Sequence, residues 1–172
     1  MHERQEDLKH LQQVLDQSAA TSGAHLREAF SQAERRPSAS DVVAALVGIF
    51  EMHLAALSSS GAPLVAPVDA ICFRGRIWFG LPPESLRSRL VRKDPRVSAS
   101  YDTGGFGFIV HGTFHEAVEG SEERAAFDDV ARALYVARYG DWFDDFLDER
   151  ARTRGAGTTG WIEPRRFYAK EG

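Results

Sequence analysis

From Met52 to Tyr101 the sequence breaks repeatedly into short extended runs separated by turn formers, and nothing else in the chain restricts the fold as much. Met52 to Leu57 reads as a strand, and Ser58-Ser59-Ser60-Gly61 supplies a turn. Pro63 to Phe73 resumes extended structure, with Val65, Pro67, Asp69 and Ile71 on one face. Arg74-Gly75 makes a second tight turn into Ile77-Trp78-Phe79. Three strands joined by two hairpins form an antiparallel meander. Pro63 and Pro67 have no amide hydrogen to give to a ladder, so the second strand is expected to have an edge or an interruption there.

The pattern continues beyond the meander. The apolar run breaks at Gly80, and a proline-initiated helix follows with Arg87, Arg89, Arg92 and Lys93 on it. Leu86 and Leu90, at i and i+4, are expected on its buried side. Asp94-Pro95 ends that helix, and Arg96 to Tyr101 alternates like a strand. After a turn at Asp102-Thr103-Gly104-Gly105, Phe106 to Val118 reads as a long strand. His111, Thr113 and His115 fall on one face of it, with Val110 and Phe114 on the other. Gly120-Ser121 opens a helix with Glu122 and Glu123 in its first turn. Its apolar positions are Phe127, Val130, Leu134 and Ala137, and Gly140 ends it. Asp141 to Arg150 reads as a further helix, Thr153 to Gly160 as a linker, and Trp161 to Lys170 as a closing strand.

Residues 1 to 36 are helical in pattern, with Leu8, Leu11, Val14 and Leu15 in one stripe. Thr21-Ser22-Gly23 interrupts, and Ala24 to Arg35 continues as a weaker helix. Ser38 or Ser40 caps a third helix from Asp41 to about Phe50. The expected architecture is α+β, mainly β with flanking helices. It is a six-stranded antiparallel split barrel at residues 51–172, preceded by an N-terminal helical arm at residues 1–50.

Composition then excludes several classes. A formal net charge of −4 gives no general basic field, which argues against nucleic acid as a partner. The signs are uneven, basic from Arg74 to Arg96 and mostly acidic from Glu116 to Glu149, and solvated faces account for that. Cys72 is the single cysteine, so an intramolecular disulfide is excluded and an inert buried thiol is expected. No apolar run approaches the roughly 20 residues that span a bilayer, and the N-terminus lacks a signal-peptide core. The expected location is the cytoplasm, with no membrane partner. His111 and His115 lie two residue pairs apart along a strand, roughly 13 Å, too far for one zinc ion, so no metal site is expected. No Ser-His-Asp constellation or P-loop is present.

The stretch from Arg76 to Tyr101 makes an anion-binding corner: strand, helix start with Ser85 and Arg87, return strand. In its setting this corner resembles the pyridoxamine 5′-phosphate oxidase-like, flavin-binding split-barrel superfamily. The likeness runs from Leu54 to about Val118, with a weaker match at Trp161 to Lys170. It is carried by LAALSSSGAPLVAPVDAI, RIWFGLPPESLRSRL, RKDPRVSASY and IVHGTFHEA. The elements are a Gly61-Ala62-Pro63 turn, the strand beside the flavin ring at Ala66 to Ala70, Ser85-Leu86-Arg87 for the cofactor phosphate, and Asp94-Pro95-Arg96-Val97-Ser98.

The resemblance implies an FMN-dependent oxidoreductase acting on a small molecule, built as a homodimer with the cofactor at the subunit boundary. Deazaflavin-dependent reduction, or non-catalytic flavin or haem binding, are the alternatives. The implied cofactor contacts are Val68, Asp69, Ala70, Phe79, Gly80, Leu81, Ser85 and Arg87, with Trp161 and Lys170 reaching from the closing strand. No residue is marked out as a general base. The chain departs from the family at Gly80-Leu81, which lacks the usual hydroxyl, and in its tail RRFYAKEG, which does not match the substrate motif of enzymes that oxidise pyridoxamine phosphate.

Overall fold

The computed structural model describes residues 2–24, 36–154 and 157–171. Six antiparallel strands close into a barrel: β1 (Ile49–Leu57), β2 (Pro63–Phe73), β3 (Arg76–Leu81), β4 (Arg96–Asp102), β5 (Phe106–Glu116) and β6 (Thr158–Glu171), in the spatial order β1-β2-β3-β6-β5-β4. Five helices among the described residues flank it: α1 (Gln5–Thr21), α2 (Ala39–Ala45), α3 (Leu86–Lys93), α4 (Glu122–Tyr139) and α5 (Trp142–Arg154). This is the architecture expected from the turn spacing.

Alternation drives the closure. In β1 every second residue (Phe50, Met52, Leu54, Ala56) is buried, and the same holds for Val97 and Ala99 in β4. These residues fill the barrel together with Phe79, Phe108, Val110, Phe114, Ile162 and Phe167. Leu11, Val14 and Leu15 of α1 belong to the same cluster. Ser18 fastens α1 to the barrel: its hydroxyl donates to the Val14 carbonyl at 2.6 Å and accepts the Phe167 amide at 2.8 Å. Outside the barrel a second cluster forms where Phe127 of α4 covers Ile71, Phe73 and Trp78. Trp78 and Phe127 stack there, their centroids 4.5 Å apart.

The last strand is central to the closure, because β6 lies between β3 and β5. Its register with β5 slips at His111/Gly112, where His111 faces Arg166 and Gly112 faces Pro164, leaving Arg165 as the extra residue. The two backbones approach so closely that a Cβ at Gly112 would meet the Glu163 carbonyl, and one at Gly160 the His115 carbonyl.

Several local expectations change. Phe50 lies in β1 rather than in a helix, because α2 ends at Ala45 and Gly48 turns the chain at φ 86°. Gly80 does not break β3; it pairs with Thr159, and the strand runs on to Leu81. The following helix is started by Ser85 as its cap and not by a proline, since Pro82 to Glu84 form a turn with Glu84 at φ 56°. Leu86 is 55% exposed, and the buried side of α3 is Ser88, Leu90 and Val91. The expected linker shrinks because α5 extends to Arg154 and β6 begins at Thr158. The weaker helix expected from Ala24 to Arg35 lies outside the described residues apart from its first position. The edge expected from the prolines of β2 is present: β1 pairs with Pro63 to Ile71, whereas β3 pairs only with Ala70 to Phe73.

Candidate functional site

The half of β2 that β3 leaves unpaired, Pro63 to Asp69, is an open strand edge. The start of α3 is held beside it. Ser85 caps the helix by accepting the Ser88 amide at 3.1 Å, and its hydroxyl lies 3.0 Å from that of Ser88. Arg87 donates from Nη1 to the Pro67 carbonyl at 2.9 Å, fastening the helix start to the edge. Arg89 likewise bonds a carbonyl, that of Glu84, at 3.0 Å. The later basic residues of the corner are spent elsewhere: Arg92 forks onto Glu116, and Arg96 onto Asp94. That fork and the Arg96 amide hold the Asp94 carboxyl down at about 2. The first turn of α3 contains no acidic residue and carries Arg87 and Arg89, with Glu84 just before its cap.

Next to this corner opens a cleft of about 570 Å³ between the β2–β3–β6 wall and helices α4 and α5. Asp69, Ala70, Phe79, Gly80 and Leu81 line it from the barrel, and Pro83 lies at the side leading to Ser85. Gly80 is exposed on that wall, with the Thr159 hydroxyl 3.4 Å from where a Cβ would stand. The opposite wall is a polar stripe of α4: Arg124, Asp128, Arg132 and Tyr135, spaced 4, 4 and 3 residues apart on one helix face. Arg124 is paired with Asp128 at 2.8 Å, and Arg132 holds Asp144 and Asp148 of α5. Tyr135 donates to Asp69 at 3.3 Å and stacks on Phe143 at 5.2 Å. Burial first, then the Asp69 carboxylate, raises the Tyr135 hydroxyl well above its ordinary pKa, so it stays a donor.

The residues expected to hold a cofactor therefore fall into groups. Asp69, Ala70, Phe79, Gly80 and Leu81 share the cleft wall; Ser85 and Arg87 lie just beyond it. Val68 is buried, facing the barrel core. Trp161 is outside the cleft lining: it stacks on His115 at 5.7 Å, carries Arg76 over its ring at 4.9 Å, and donates to Glu163 at 3.2 Å. Lys170, near the other end of β6, pairs with Asp102 at 3.3 Å.

The contribution of α4 and α5 was not anticipated from sequence. The apolar spacing of α4 shows that one face is buried without showing what it covers. The Arg124, Asp128, Arg132, Tyr135 stripe was the available signal. His111 and His115 form no metal cluster, and none occurs among the described residues. His111 instead pairs its Nδ1 with the Ser98 hydroxyl at 2.8 Å.

The arrangement has the chemistry to take up a planar heterocycle that carries a phosphate. The open β2 edge offers main-chain donors and acceptors, and Ser85 and Arg87 at the start of α3 are of the kind that take a phosphate, with Glu84 adjoining them. The acid-lined cleft suits an uncharged ring better than a phosphate.

No family model matches the chain, and no curated protein matches it. Solved structures do, at low identity. A putative pyridoxamine 5′-phosphate oxidase from Listeria innocua superposes with a TM-score of 0.56 at 12% identity, over 76% of this chain and 96% of that one. An FAD-binding protein from Mesorhizobium loti gives 0.55 at 17%, over 80% and 95%. The haem storage protein HutZ from Vibrio cholerae gives 0.53 at 13%, over 86% and 94%. The fold is thus the split barrel of the pyridoxamine 5′-phosphate oxidase-like proteins. Among these neighbours that barrel accompanies flavin and haem alike.

Proposed function

We propose that this protein binds a flavin, in the first instance FMN, and is an oxidoreductase acting on a small organic substrate. The observation that carries the reading is the Arg87–Pro67 bond, which sets a cationic helix start beside an open strand edge next to a ring-sized cleft. A bound flavin supplies hydride and single-electron exchange. The chain's share is to bind and orient: Ser85 and Arg87 neutralise the phosphate, the Val68 to Ala70 main chain borders the ring, and Phe79 to Leu81 close the wall. Tyr135, kept protonated, offers a hydroxyl at the Asp69 side.

The working unit in this reading is a homodimer, with Leu64, Val65 and Leu86, exposed at 38%, 62% and 55%, near the shared surface. Trp161 and Lys170 would serve the partner's cofactor. No helix is long and apolar enough to cross a membrane among the described residues, and cytoplasmic location belongs to the same proposal.

Titration with FMN and with riboflavin tests the reading. Arg87→Ala should weaken FMN by about tenfold or more, the value of a charge-assisted phosphate contact, and weaken riboflavin, which lacks the phosphate, much less. Equal FMN affinity in wild type and variant would remove Arg87 from the site. A colourless protein that takes up a deazaflavin but not FMN, or one that shows a Soret band with haemin, would replace the cofactor.

A further inference from the structure

Helix α5 forms one side of the cleft, where Phe143, Leu147 and Asp148 line it. It is held there lightly. None of its described side chains is buried, and Phe143, Asp144 and Leu147, on one helical face, are half-buried. Among the described residues its ion pairs with other elements all end on one residue. Arg132 of α4 reaches Asp144 through Nε and Asp148 through Nη2, the latter at 2.6 Å. These three side chains are 44%, 45% and 62% exposed, so the pairs are weak and open to screening by salt. An aromatic tie accompanies them, Phe143 stacking on Tyr135 at 5.2 Å and on Tyr139 at 5.0 Å.

Helix α4, by contrast, is anchored at both ends. Its Phe127 stacks on the buried Trp78, its Glu123 pairs with Arg76 at 3.1 Å, and Arg138 donates to the Ile49 carbonyl at 3.2 Å. Only Gly140 and Asp141 separate α4 from α5. Gly140 has φ 92°, where a residue with a side chain is strained, and its amide closes α4 on the Val136 carbonyl at 2.7 Å. A change of backbone angle at this glycine swings α5 without disturbing α4.

We propose that α5 is a lid over the cleft, hinged at Gly140 and latched by Arg132, which opens as a unit to pass a ligand and closes on it. The latch is one guanidinium held by two carboxylates a helical turn apart, so opening releases both pairs together. Closed, Phe143 and Leu147 keep water from that side of the cleft. The motion is a property of the chain alone; what the lid admits rests on the ring-binding reading of the cleft.

Hydrogen–deuterium exchange on the full chain without ligand decides whether the lid moves. Amides of α5 should exchange about tenfold faster than those of α4, as a separate unit. Sodium chloride at a Debye length of about 3 Å should speed α5 about twofold more and leave α4 unchanged. Arg132→Gln should speed α5 about three- to fivefold at low salt and abolish the salt response, with the melting temperature lowered by no more than a few degrees. Asp145→Asn, on the same helix but outside the latch, should leave α5 as in the wild type. Exchange of α5 in step with α4, or an α5 that Arg132→Gln leaves unchanged, overturns the lid; an equal effect of Asp145→Asn overturns the latch. Stopped-flow mixing with FMN reads the gate. Association should quicken about two- to fivefold in Arg132→Gln, although the variant removes a positive charge that attracts phosphate. An unchanged or slower association overturns the gating. The expected exchange in a protein that takes up no FMN supports the lid and removes the flavin reading; normal FMN binding with α5 exchanging in step with α4 overturns the lid alone.

Discussion

At Gly160 the backbones of β5 and β6 leave no room for a side chain, since a Cβ would overlap the His115 carbonyl. Gly160→Ala must push a main chain aside, and a loss of about 1–3 kcal/mol or more is expected in urea titration. Cys72 shows the opposite extreme of a residue made inert by its surroundings. Burial, with a small addition from Glu3, pushes its thiol up to about 12, so at neutral pH almost no thiolate exists. Ellman's reagent should label it only through opening of the fold, at a rate that rises with urea. His111 sets a pH dependence. Burial first, then Arg166 and Arg165, holds its pKa below the ordinary 6.5. As pH falls the unfolded chain therefore takes up that proton first. The stability this residue contributes is complete above about 6.5 and is lost as pH drops through the lower folded value. His111→Gln should flatten that slope in thermal melts between pH 7 and 5.

At the scale of elements, helix α4 builds the outer wall of the cleft, so its ends matter to the site. Ser121 caps it by accepting the Arg124 amide at 3.2 Å, with Glu122 and Glu123 in the first turn. Ser121→Ala should cost about 1 kcal/mol and lower the melting temperature by a few degrees. Much at this scale was legible beforehand. The turn formers gave the hairpins, the prolines of β2 gave its open edge, and Gly140 ended α4. What misled was local ambiguity. Gly80 and Pro82-Pro83 look like breakers, but pairing with Thr159 keeps β3 extended through Gly80. Leu86 and Leu90 have helical spacing, but only Leu90 turns toward the barrel, because Ser85 starts the helix later than the prolines suggest. Within the site, the barrel wall could be read from residue order. The α4 and α5 wall could not, because a helical face declares that it is buried without naming its partner.

For the whole molecule, the homodimer proposed above would use the open β2 edge and the apolar residues beside it. Sedimentation velocity should show a dimer, and Val65→Lys, which sets a charge on an exposed edge residue, should shift it toward monomer without lowering the melting temperature of the barrel. The barrel's strand order carries a consequence for how the chain reaches its folded state. β6 enters between β3 and β5, pairing Leu81 with Thr158 and Phe106 with Glu171. On the ribosome the first five strands therefore emerge as an incomplete cylinder whose β3 and β5 flanks have nothing to bond, and completion waits for the final strand. A nascent chain paused before Thr158 is the species that a chaperone would have to shield.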